Sequence, residues 1–133
     1  MNYWRVASSS VKFIELGLES KTWGFSPFSR WVHHSKEMRK GDKIVIYNNN
    51  DHSFQVICEV TKERFIDNTP IWFDNDYPYR IGIEPLPISQ KPIKLREVRE
   101  RLKQPNFGGS FNPSVAKMTP QDFDIISNMM TEK

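Results

Sequence analysis

The sequence predicts an α+β fold: a small, strongly curved sheet of five to six strands flanked by three to four helices. Three observations carry this. Short runs rich in β-branched and aromatic residues recur along the chain. Several of them follow one another through turns, without the regular strand–helix alternation of a parallel sheet. Three segments place apolar residues at helical spacing. Strands this short suit a sheet that closes toward a barrel.

The elements are read in order. Residues 2–8, NYWRVAS, form a first strand. Residues 9–20 form a short helix, capped by Ser9 or Ser10, with Val11, Ile14 and Leu18 at helical spacing and Gly17 weakening its end. Gly41-Asp42 turns the chain into a strand from Lys43 to Tyr47. Asn48 to Asp51 make a polar loop, and residues 53–63 pair back as a hairpin. Pro70 and Pro78 bound an irregular stretch, and residues 79–88 give a further strand whose far end Pro85 and Pro87 place at an edge or bulge. In residues 92–104, Leu95, Val98 and Leu102 predict an amphipathic helix with a basic outer face. Residues 105–114 read as a loop. The last helix has Thr119 as N-cap, Pro120 in the first turn, Asp122 at the third position, and a core stripe of Phe123, Ile126 and Met130.

One stretch resists simple assignment. TWGFSPFSRW, residues 22–31, holds four large aromatics in ten residues. Ser26 can cap a helix that Pro27 opens, so Phe28, Trp31 and Val32 read as one apolar face of core. Trp23 and Phe25 precede that helix and flank Gly24. In a loop, such a Trp either lies flat against an outside planar group or plugs the end of the sheet. The expected helix N-terminus and the cations Lys21, Arg30 and Lys36 put anion donors beside it, which suits one unstacked nucleotide.

The 133 residues suit a single domain, 1–133. No apolar run approaches the length of about 18 residues a membrane helix needs. The first residues lack a secretory pattern, and the lone Cys58 excludes an internal disulfide and a cysteine-cluster metal site. A cytoplasmic location is the default expectation. Net charge is +3, and the cations cluster: six Lys/Arg against two acids from Lys21 to Lys43, and again from Lys91 to Lys103. These are solvated faces or a phosphate-facing rim. His33 and His34 are adjacent, so on a helix they diverge and rarely chelate one ion. Asp74 and Asp76 lack calcium-loop spacing. Gly108-Gly109 is not a phosphate loop. Trp72 and Phe73 are core or a second stacking surface. No metal, cofactor or catalytic residue is expected.

The motifs YWRVAS, WGFS, GDKIVIYNN, FQVICEV, YPYRIGI and MTPQDFDII, in this order, resemble the EVE domains of the PUA-like superfamily, relatives of the YTH domains. The resemblance runs from Tyr3 to about Met130. It implies nucleic-acid binding, with a flipped-out, modified base of RNA or DNA in an aromatic pocket. By position, that pocket draws on Ser8 and Ser9, on Trp23, Gly24, Phe25 and Ser26, and on Tyr47, Asn48 and Asn49, with Phe107 closing it. Trp23 would be the stacking wall, Phe25 or Tyr47 would stand opposite, and Lys21, Arg30 and Lys36 would meet phosphates. Two features depart from the family. Ser8-Ser9-Ser10 stands where many members have Ser-Glu-Pro, and Trp23 and Gly24 are adjacent where many have an intervening Asp.

The leading expectation is a non-enzymatic nucleic-acid-binding module that reads a modified base. The alternatives are an RNA-cleaving or RNA-modifying enzyme using Lys21, His34 or Tyr47, and a domain that binds a free nucleoside, another small molecule or a partner peptide.

Overall fold

The computed structural model describes residues 1–8, 10–26, 32–71, 77–103 and 115–131. Strand β1 (Tyr3–Ser8) leads into helix α1 (Val11–Ser20), strand β2 (Thr22–Phe25) and a single helical turn, α2 (His34–Glu37). Strands β3 (Lys43–Asn48), β4 (Ser53–Ile66) and β5 (Tyr79–Pro85) follow. A two-residue strand β6 (Ile93–Lys94), helix α3 (Leu95–Val98), a 3-10 turn (Arg99–Arg101), strand β7 (Val115–Met118) and helix α4 (Pro120–Thr131) complete the order. The α+β expectation holds. The strands run β2-β5-β4-β3-β1-β7 in one strongly curled sheet, with β6 paired to β4.

Strand β1 lies parallel to β3, from Tyr3 opposite Lys43 to Ser8 opposite Asn48. The β3–β4 hairpin slips register between Ile46 and Tyr47, and β4–β5 slips twice, at Val60/Lys62 and Lys62/Phe65. Such bulges bend and twist strands. At the first β4–β5 slip an added Cβ on Gly82 would lie 2.6 Å from Thr61 Oγ1 and 2.8 Å from the Lys62 Cβ, so only glycine fits there.

Alternation along the strands sorts side chains into two cores. Trp4, Val6, Ile44, Ile46, Cys58, Val60, Ile81 and Ile83 pack with Ile14 of α1. Val45, Tyr47, Phe54 and Ile57 pack on the other face with Leu95, Val98, Phe123, Ile126 and Met130. Trp4 fixes the N-terminus by donating from its ring N–H to Asp42 Oδ2 at 3.0 Å. Asp42 also accepts from the amides of Asn2 and Arg39, each at 3.0 Å.

Three expectations need correction. Residues 92–104 are not one helix. Ile93-Lys94 pair with Ser53-Phe54, and the α-helix stops at Val98, whose φ is −124°. Leu95, Val98 and Leu102 are nonetheless all buried in the second core, so their spacing reports burial correctly and continuity wrongly. Strand β7, antiparallel to β1, occupies residues read as loop end and helix approach. Gly17 does not weaken a helix end. It is buried, and an added Cβ would sit 3.0 Å from Trp23 Cε3. The helix expected from Pro27 falls outside the described residues up to Trp31, and α2 begins only at His34.

Candidate nucleic-acid interface

The polar ends of β1 and β3 meet the start of α1. Ser8 and Asn48 are partners in the β1–β3 ladder, and the Asn49 amide donates to Ser8 O at 2.8 Å, extending that ladder by one step. By alternation Ser8 and Asn48 share the face of Trp4, Val6, Ile44 and Ile46, the first core. Ser8 Oγ accepts from the Ser10 amide at 3.2 Å. Ser10 caps α1, its Oγ accepting from the Phe13 amide at 3.4 Å. Asn48 Oδ1 accepts from the Asn50 amide at 2.8 Å, which closes the turn into β4. Three short polar side chains are thereby fixed at the open end of two central strands.

Trp23 and Phe25 belong to the same core, yet not as a loop. They are alternate residues of β2, paired with Ile81 and Tyr79 of β5, and each is only 5% exposed. The Trp23 ring lies against Gly17 of α1. A free-standing stacking wall is therefore replaced by a ring held in the sheet. Gly24 sits between them in β2, opposite Arg80, and Ser26 follows the strand.

Tyr47 does not face Trp23. It is one residue out of phase with Ile46 and Asn48 and points into the second core. There its ring meets Phe54 edge-on at 5.0 Å, Arg5 lies 5.8 Å from the ring centre, and its hydroxyl is 3.2 Å from His52 Nδ1. Burial pushes the phenol up to about 12, against the opposing pull of Arg5 and Arg99. Burial likewise lowers the Arg5 guanidinium to about 10. A neutral Tyr47 beside a buried cation anchors the second core, and it cannot form the wall opposite Trp23.

Of the residues expected at phosphates, Lys21 is exposed but caps the C-terminus of α1 with φ 58°, its amide donating to Gly17 O and Leu18 O. A cation is favoured there by the helix dipole, whatever else it meets. Lys36 is exposed on α2. Ser9, Arg30 and Phe107, with Trp72, Phe73, Asp74, Asp76 and the Gly108-Gly109 pair, lie outside the described residues. The rings of His33 and His34 stack at 4.2 Å, and His34 Nδ1 is 3.2 Å from Glu37 Oε2. Among the described residues no three His, Cys, Asp or Glu side chains converge as a metal site, and no helix is long and apolar enough to cross a membrane. Burial pushes the Cys58 thiol up to about 12.

Sequence reasoning missed Arg80. It is 4% exposed in β5, where its Nε donates to Tyr77 O at 2.9 Å, Nη2 donates to Thr69 O, and Nη1 lies 3.6 Å from Asp67 Oδ2. It ties Thr69 to Tyr77 at the level of Gly24. The signal for it was present: an arginine inside an otherwise apolar strand, YRIGI, needs buried acceptors.

With this geometry in hand, the comparisons with known proteins become informative. The EVE domain family matches residues 2–129. The chain belongs to the EVE domain family. No curated protein matches it in sequence. Among solved structures this EVE domain is similar to the Pho92 YTH domain in complex with m6A, at 18% identity and TM-score 0.76, over 99% of this chain and 84% of that one. It is similar to the YTH domain of Zygosaccharomyces rouxii MRB1 in complex with N6-methyladenosine RNA, at 14% identity and TM-score 0.75, over 98% and 87% of the two chains. It also resembles protein Atu2648 from Agrobacterium tumefaciens, at 19% identity and TM-score 0.66, over 100% and 97%. At these identities the likeness is one of fold.

Proposed function

We propose that this EVE domain is a non-enzymatic module that binds single-stranded RNA and holds one flipped, modified base at the ends of β1 and β3. One observation carries the reading. Ser8 and Asn48 stand side by side on the sheet face that carries Trp23 and Phe25, in a fold similar to YTH domains solved with N6-methyladenosine. A flipped base is read by hydrogen bonds to its edge and by stacking. Ser8, Asn48, Asn49 and the start of α1 supply the polar edge, and the aromatic side comes from β2. Because Trp23 is held against Gly17, it serves as the rigid floor of the pocket, already in place before the base arrives. Exposed Lys21 and Lys36 contribute a salt-dependent phosphate term.

Trp23→Ala is a poor test of this reading, since emptying a core site of a tryptophan costs about 3–5 kcal/mol of stability and an unfolded protein binds nothing. Trp23→Phe keeps an aromatic core. The informative experiment is a fluorescence titration with short RNAs that differ only by one methylated base, on the native protein and on Trp23→Phe. The expected result is tighter binding of the methylated RNA, weakened by about 1 kcal/mol in Trp23→Phe. Equal affinity for both RNAs would overturn the base-reading function. Tighter binding of the matching DNA would reassign the partner, and turnover of the RNA would favour an enzyme.

A further inference from the structure

The carboxamide oxygen of Asn49 is buried and makes no hydrogen bond within the described residues. Its setting makes that unusual. The Asn49 backbone is fixed, its amide bonded to Ser8 O at 2.8 Å. The neighbouring acceptors are in use: Asn48 Oδ1 takes the Asn50 amide, Ser8 Oγ takes the Ser10 amide, and Ser10 Oγ takes the Phe13 amide. Buried acceptors without partners are rare in folded proteins and destabilise them, so one that is retained calls for a donor from outside the fold.

Resting on the base-reading function proposed above, we infer that Asn49 Oδ1 is the specificity-determining acceptor of the pocket: it takes a hydrogen bond from an exocyclic N–H on the bound base. The ligand class follows. The base carries an amino group, as adenine and cytosine do, and keeps at least one hydrogen on it. A single methyl on that nitrogen leaves a donor for Asn49. Two methyls leave none, and the oxygen is then sealed under the ligand without a partner. A site built to bond a polar group rejects analogues that lack it, because its own buried atom is left unpaired.

The test compares short single-stranded RNAs carrying N6-methyladenine or N6,N6-dimethyladenine, with a second pair carrying N4-methyl- or N4,N4-dimethylcytosine at the same position. The native domain is expected to bind the monomethyl member of at least one pair roughly three- to tenfold more tightly than its dimethyl partner. Asn49→Ala is expected to lose that ratio, while Asn49→Asp, which keeps an acceptor, retains it whatever its new charge does to overall affinity. The ligand-free Asn49→Ala protein is expected to melt no lower than the native one, since the change removes an unpaired acceptor and no bond. A discrimination ratio that survives in Asn49→Ala overturns the role of Asn49 and leaves base reading standing. Failure of the native protein to bind any of the four RNAs removes both.

Discussion

At the scale of single residues, the structure turns on a few polar atoms with assigned partners. Asp42 is 3% exposed and gathers three donors, from Asn2, Arg39 and the Trp4 ring. Burial alone would raise its pKa, but the hydrogen bonds from Asn2, Arg39 and Trp4 outweigh it, and the carboxyl lies below its ordinary value. A depressed folded pKa means stability that is fully present above the unfolded value near 3.9 and lost as pH falls through the folded one. Denaturant melts between pH 6 and pH 2 should therefore show a loss of stability below about pH 4 that is smaller in Asp42→Asn. That variant should also cost about 1–3 kcal/mol at neutral pH, because its amide N–H2 turns donors toward donors. Gly17 makes the opposite point. A methyl there gains about 1 kcal/mol of helix propensity but presses on a tryptophan hemmed in by core. Overpacking of this kind costs about 1–3 kcal/mol, so Gly17→Ala should lower the melting temperature and change the Trp23 fluorescence.

At the scale of elements, the sequence is most legible where local and tertiary signals agree. In α4 the Thr119 hydroxyl accepts from the Asp122 amide at 3.1 Å, as its cap position predicts, and Phe123, Ile126 and Met130 are buried. Thr119→Ala should cost about 1 kcal/mol in a denaturation midpoint. Asp122 itself does more than favour a helix start: its Oδ1 accepts from the Lys103 amide at 2.7 Å, a link across 19 residues that no local pattern announces. The segment 92–104 failed as a helix because the β6 pairing with β4 takes its first residues, and tertiary pairing overrides propensity. Strand β7 is only four residues, VAKM, too short for its alternation to be seen. For Thr22–Phe25 the signal was readable: T-W-G-F alternates with period two, and the prominence of its aromatics drew attention from that pattern. Tyr47 was placed in the pocket by proximity to Asn48, although adjacent strand residues face opposite ways.

At the scale of the whole molecule, one curled sheet separates two cores, and only the first contains the β2 aromatics and the Ser8–Asn48 end. Family membership was legible from motif order, whereas the assignment of site residues to faces needed the register. The central strand β4 carries Cys58, fully buried with its thiol pushed up to about 12. Its labelling by a thiol reagent at pH 8 should be slow in the folded protein and should track global unfolding, because exposure requires opening of the sheet. The central claim is that RNA enters at the first-core end of β1 and β3. Amide and indole chemical-shift mapping of the labelled domain, titrated with a short RNA carrying one N6-methyladenosine, tests it most directly. The account predicts shifts at Ser8, Ser10, Asn48, Asn49 and the Trp23 indole, with the Phe54, Ile57 and Ile126 amides unmoved. Shifts confined to that second core, or none at saturating RNA, would contradict it.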